Sequence, residues 1–181
     1  MTAIKLAQLP DDVAAEVARL GAKQVNLYKA LAHAPELLRA WMAFAWALRG
    51  HDTTSRRLRE LMILRTALLH HSRYEWHQHR RMAREAGVTD NEVAELEMWR
   101  QSDVFSASDR AALAFTDAIV AGEVPAEVND ELARHYDDQQ RVELTVTAGF
   151  YAMVPRVLEA LGVPVETDED LTAARGQPPV T

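Results

Sequence analysis

Apolar residues recur three and four positions apart through most of this 181-residue chain, and the alternation that marks a half-buried strand is missing. That period predicts an all-α fold, a single-domain array of about eight helices. The punctuation agrees with the period. Pro10 with Asp11 and Asp12 suits a first helical turn, Gly21 suits a stop, and a short helix is expected near residues 23–33. Pro35 then opens APELLRAWMAFAWALRG, whose Trp41, Phe44 and Trp46 surround the helix, so it is expected to be well buried before Gly50 ends it. HDTTS offers caps for RRLRELMILRTALLHH, and a further helix over about 72–86 is closed by Gly87. Thr89 and Glu92 form a capping box for TDNEVAELEMW, and Ser106 or Ser108 caps DRAALAFTDAIVA before Gly122. Pro125 starts PAEVNDELARHY. Asp137 with Gln140 caps the long run to Gly162, in which Pro155 is expected to introduce a kink.

Composition narrows the classes of function. Forty-eight per cent hydrophobic residues suffice for one sizeable core. The formal charge of −7 argues against a general nucleic-acid binder, because phosphate binding rests on Lys and Arg. With no cysteine, these residues can form no disulfide or thiolate–metal site and carry no thiol redox chemistry. No apolar run approaches the ~20 residues of a membrane span, and MTAIKLAQLPDDV lacks the pattern of a secretion signal; a cytoplasmic protein is expected. Three segments are expected: N-terminal helices over 1–34, a helical domain over 35–163, and an acidic, then proline-rich stretch over 164–181 that is either a flexible tail or an intersubunit arm.

Chemistry concentrates in residues 56–84. Eight arginines stand there against two acids, Glu60 and Glu75. The excess charge could steer a small anion; equally, it could be a solvated face paired with acids elsewhere. Within HHSRYEWHQHRRMAR the helical period puts Ser72, Glu75, Trp76, His79, Met82, Ala83 and Ala86 on one face, and His77, Gln78, Arg80, Arg81, Arg84 and Glu85 on the other. Glu75 and His79 therefore point inward, four apart, where their side chains can meet. Such a pair either moves protons near neutral pH or specifies helix packing. Glu60 on the preceding helix is the third candidate. His70 and His71 read as a helix C-terminal feature, His77 as exposed, and His33, His51 and His135 as helix-end residues without chemistry. A metal reading would recruit His79 with Glu60, Glu75 or His71, but no HExxH spacing is present, and neither a metal nor another cofactor is expected.

The stretch LRELMILRTALLHHSRYEWHQHRRMAREAGVTDNEV resembles the core motif of the carboxymuconolactone decarboxylase-like family, which also contains the alkylhydroperoxidase D-like proteins. The resemblance runs on through SDRAALAFTDAIVAGEVPAEVNDELARHYDDQQRVELTVTAGFYAMVPRVLEALGV and covers roughly residues 35–163. It rests chiefly on the step from Glu75 to His79 into Ala83, Ala86 and Gly87. The positions of the peroxidase branch's Glu and His are held here by Glu60 and His79, whereas its two cysteines are replaced by Ser72 and Glu75. Cysteine-based peroxide reduction is thereby removed. The decarboxylase branch implies acid–base chemistry by Glu75 and His79, with Glu60 setting their protonation, on a carboxylated lactone or a related β,γ-unsaturated or 3-keto acid. Arg65 or Arg73 would orient the substrate carboxylate, and Ser72 and Trp76 complete the expected substrate-binding set. The resemblance also implies the alkylhydroperoxidase D-like fold and a homo-oligomer, trimer or hexamer, with sites near subunit interfaces. A non-catalytic oligomeric binding protein and a metal-dependent His/Glu enzyme are the competing readings.

Overall fold

The structure, a computed structural model, describes residues 2–20, 23–50 and 53–166. Gly21, His51, Asp52 and segment 167–181 lie outside the described residues, and with them most of the expected tail or arm. The described residues form nine α-helices and no strand: α1 (Asp11–Arg19), α2 (Asn26–Leu31), α3 (Pro35–Gly50), α4 (Arg56–Leu69), α5 (Arg73–Glu85), α6 (Asp90–Glu95), α7 (Ala107–Ala121), α8 (Ala126–His135) and α9 (Asp138–Leu161). A 3-10 turn covers Trp99–Gln101. The all-α class stands, and the nine helices fall on the segments the sequence punctuation marked.

The described residues form two compact units, one from those up to 46 together with 158–166, the other from those between 47 and 157. In the first, the extended N-terminal stretch is pinned by the Ile4 amide, which donates to the Leu161 carbonyl at 2.9 Å. The Asn26 amide donates to the Glu166 carboxylate at 2.6 Å. Gly162 is required twice over: its φ is +63°, and a Cβ there would stand 2.9 Å from the Ala3 backbone. Helix α3 departs from expectation. It buries Leu38, Met42, Ala45 and Leu48 but leaves Leu37 and Phe44 67% and 45% exposed, so its apolar residues exceed the single face that a 3.6-residue period can bury.

In the second unit α4 is central. Every residue from Leu58 to Ala67 is buried. One side of the helix joins Leu61 and Leu64 to Ala83, Val88, Leu96, Trp99 and Leu113; the other joins Leu58 and Met62 to Ala112, Phe115, Leu132 and Leu144. The four anticipated caps form. Ser55 accepts from the Leu58 amide at 3.2 Å, Thr89–Glu92 and Ser106–Asp109 make reciprocal boxes, and Asp137 and Gln140 exchange bonds of 2.9 and 3.0 Å. α9 continues as helix through Pro155. α6 ends at Glu95, earlier than the expected run to Trp99, because the buried Arg65 guanidinium binds the carbonyls of Leu96 and Glu97 at 3.2 and 3.0 Å. Those carbonyls thus find a partner without further helix.

Candidate active site

A helix buried all round cannot carry charge without partners, and α4 carries three buried charged side chains. Each ties it to a different neighbour. Arg59 pairs with Glu143 of α9 at 2.8 Å, Arg65 with Asp117 of α7 at 2.6 Å, and Glu60 with His79 of α5 at 2.8 Å. The Arg59 pair is further fixed by the Thr54 hydroxyl and amide, which donate to Glu143 at 2.8 and 3.0 Å. These are joints of the scaffold; the third differs in what lies around it.

Ser72 caps α5 by accepting from the Glu75 amide at 3.3 Å, which sets the helix phase. Tyr74, Glu75, His79 and Ala83 then face inward, while His77, Arg80, Arg81 and Arg84 are exposed as the period predicted. His79 stands between two carboxylates. Its Nδ1 lies 2.8 Å from Glu60 Oε2, and its Nε2 lies 3.6 Å from Glu75 Oε2, beyond hydrogen-bond length. Glu60 is fully buried, His79 and Glu75 nearly so. Arg56, one turn before Glu60, is paired with its other oxygen. Burial pushes the Glu60 carboxyl up, but the His79 charge and hydrogen bond, then Arg56 and Arg49, outweigh it and hold the group below its ordinary range. Glu60 is therefore a carboxylate at neutral pH. From α9, Tyr151 sets its ring nearly perpendicular to the imidazole, centroids 5.0 Å apart and planes at 86°.

The structure thus unites Glu60, Glu75 and His79. The other expected residues have different surroundings. Arg65 is held by Asp117 and two carbonyls. Arg73 is exposed at the start of α5, Ser72 serves as its cap, and Trp76 packs on the apolar cluster of Leu61 and Leu64. Two residues that sequence reasoning passed over belong to the cluster. Arg56 was legible from its four-residue spacing to Glu60. Tyr151 was not, because it arrives from α9 with no local signal. Among the described residues no group of three or more His, Cys, Asp or Glu is placed to hold a metal ion. A separate cavity of about 500 Å³ borders Arg57, Asp109, Tyr136 and Gln140 and includes none of the three site residues; its arginine is neutralised by Asp109 and Glu92.

The helical array defines the class first. Over 98% of this chain and 97% of the other, it superimposes on a protein from Ralstonia eutropha described as an alkylhydroperoxidase AhpD core, TM-score 0.77 at 21% identity. A crystal structure of a variant of the debrominase Bmp8 in complex with 2,3,4-tribromopyrrole matches with TM-score 0.76 at 19% identity, covering 93% of this chain and 96% of that one. At such identities the likeness shows the fold, which is alkylhydroperoxidase D-like. Residues 35–118 match the sequence model of the carboxymuconolactone decarboxylase family. Over those residues the chain is similar to that carboxymuconolactone decarboxylase-like group, and its sequence holds no Cys-x-x-Cys motif. The uncharacterized protein YdfG of Bacillus subtilis is 27% identical over 114 residues, 61% of this chain and 78% of its own.

Proposed function

We propose that Glu60, His79 and Glu75 form a proton-transfer site acting on a small carboxylic acid or lactone, by decarboxylation or by isomerisation. The observation that carries this reading is the asymmetry around His79. Nδ1 is bound tightly by an ionised carboxylate, which fixes the ring, while Nε2 faces Glu75 across 3.6 Å, too far for a hydrogen bond. Glu60 is then the positioning group, His79 the base and acid, and Glu75 the carboxylate beside the moving proton. The chemistry needs no sulfur, consistent with a chain that has none. The likeness of residues 35–118 to the carboxymuconolactone decarboxylase family and the debrominase on the same fold are compatible with a small-molecule enzyme.

The deep burial of all three groups favours a second reading, in which the cluster specifies packing in a non-catalytic binding protein. Turnover separates the two. A thermal-shift screen over small carboxylic acids and lactones should find a ligand that raises the melting temperature, since a molecule binding only the folded state stabilises it. With that ligand, His79→Gln should reduce turnover at least about 10²-fold while leaving the melting temperature near wild type. Near-normal turnover in the variant would sink the proposal. Assembly as a homo-oligomer belongs to the same reading; light scattering should give a mass several times 20.3 kDa, and a monomer at working concentration would contradict it.

A further inference from the structure

Proton abstraction next to a carbonyl, or loss of CO₂ from a 3-keto acid, leaves an electron pair that moves onto the carbonyl oxygen. A site that performs either step needs a hydrogen-bond donor at that oxygen. The cluster contains few candidates. Ionised Glu60 has no proton to give, Arg56 is engaged by Glu60, and His79 is occupied with the transferred proton. Tyr151 remains. Its ring rests against His79, and its hydroxyl feels, after burial itself, the charges of Arg49, Glu75, Glu60 and Arg56, which places it among the site's polar groups. Burial pushes the phenol up from its ordinary value, so it keeps its proton. Tyr151 thus brings a protonated phenol to the cluster.

We infer that Tyr151 is a catalytic residue of this site, donating its hydroxyl proton as a hydrogen bond to the carbonyl or enolate oxygen of the substrate. The inference rests on the proton-transfer reading and narrows it to substrates with a carbonyl conjugated to the reacting carbon. The step balances within the substrate and His79. The C–H proton passes to Nε2, its electron pair becomes a C=C bond, and the carbonyl π pair moves to oxygen, where Tyr151 stabilises it without surrendering its proton. Return of the proton to a different carbon completes an isomerisation. In the decarboxylation, the C–C bond to the leaving carboxylate supplies the pair instead, and His79 reprotonates the carbon.

The test uses 4-nitrophenolate, a planar oxyanion whose absorption shifts on accepting a hydrogen bond, and needs no turnover. Wild type should bind it with a shifted spectrum. Tyr151→Phe should weaken binding at least about tenfold, as for a lost hydrogen bond to a charged group. The ring is kept, so its melting temperature should stay within about 2 °C of wild type. Unchanged affinity in Tyr151→Phe, or no binding by wild type, overturns the inference. Because the probe exchanges no carbon-bound proton, loss of the proton-transfer reading would show only as turnover by His79→Gln. The two failures are therefore distinguishable.

Discussion

At the scale of single residues, Glu60 shows how a buried charge is kept and used. Arg56 and His79 hold it ionised against the cost of burial, and it orients the imidazole in return. Glu60→Gln should preserve the shape but lose the charge, and turnover of a found substrate should fall about 10²-fold or more. Turnover near wild type would assign the ring's orientation to Tyr151 and packing alone. The inward turn of Glu75 and His79 was legible because a four-residue spacing fixes a shared helical face. Which arginine joins the cluster was not. Arg65 stands on the same helix as Glu60 but at a phase directed to Asp117, and Arg56 stands at the phase that reaches Glu60. Tyr151 lay beyond any local pattern, since only tertiary packing brings α9 to α5.

The elements were read well where their ends carry chemistry. Ser55, Thr89, Ser106 and Asp137 cap the helices assigned to them. The end of α6 was misjudged, because its stop signal is a side chain from α4 rather than a neighbour in sequence. The joint between α4 and α9 makes a sharper point about stability. Glu143 collects Arg59 and both Thr54 donors in a buried place, so Glu143→Ala should strand a guanidinium and cost about 3–5 kcal/mol in chemical denaturation. A loss under about 1 kcal/mol would show that water reaches the joint. Gly162→Ala should also destabilise, by more than about 1 kcal/mol, because both the positive φ and the Ala3 backbone oppose a side chain.

Across the whole molecule, the arginine-rich segment changes meaning. Arg56, Arg57, Arg59, Arg65, Arg81 and Arg84 are all ion-paired, so most of the positive charge expected to steer an anion is cancelled within the fold. The same pairing sets an acid limit. Glu60, Glu92 and Asp109 are each pushed up by burial but held below their ordinary values of 4.5, 4.5 and 3.8 by their cationic and hydrogen-bonding partners. The unfolded chain takes up these protons first as the pH falls. Their contribution is therefore complete above about pH 4.5 and is lost progressively below it, as the folded-state values are passed. Denaturation midpoints between pH 7 and 3 should be flat and then decline, and Glu60→Gln should soften the decline. An unchanged acid limb in that variant would place the linkage elsewhere.

The most direct test of the central claim is transfer of solvent deuterium. With a 3-keto or β,γ-unsaturated acid found by binding, wild type in D₂O should place deuterium on the reacting carbon, as followed by NMR, and His79→Gln, folded and binding the same acid, should place none above the uncatalysed rate. Equal incorporation by wild type and the variant would contradict a proton-transfer site built on His79.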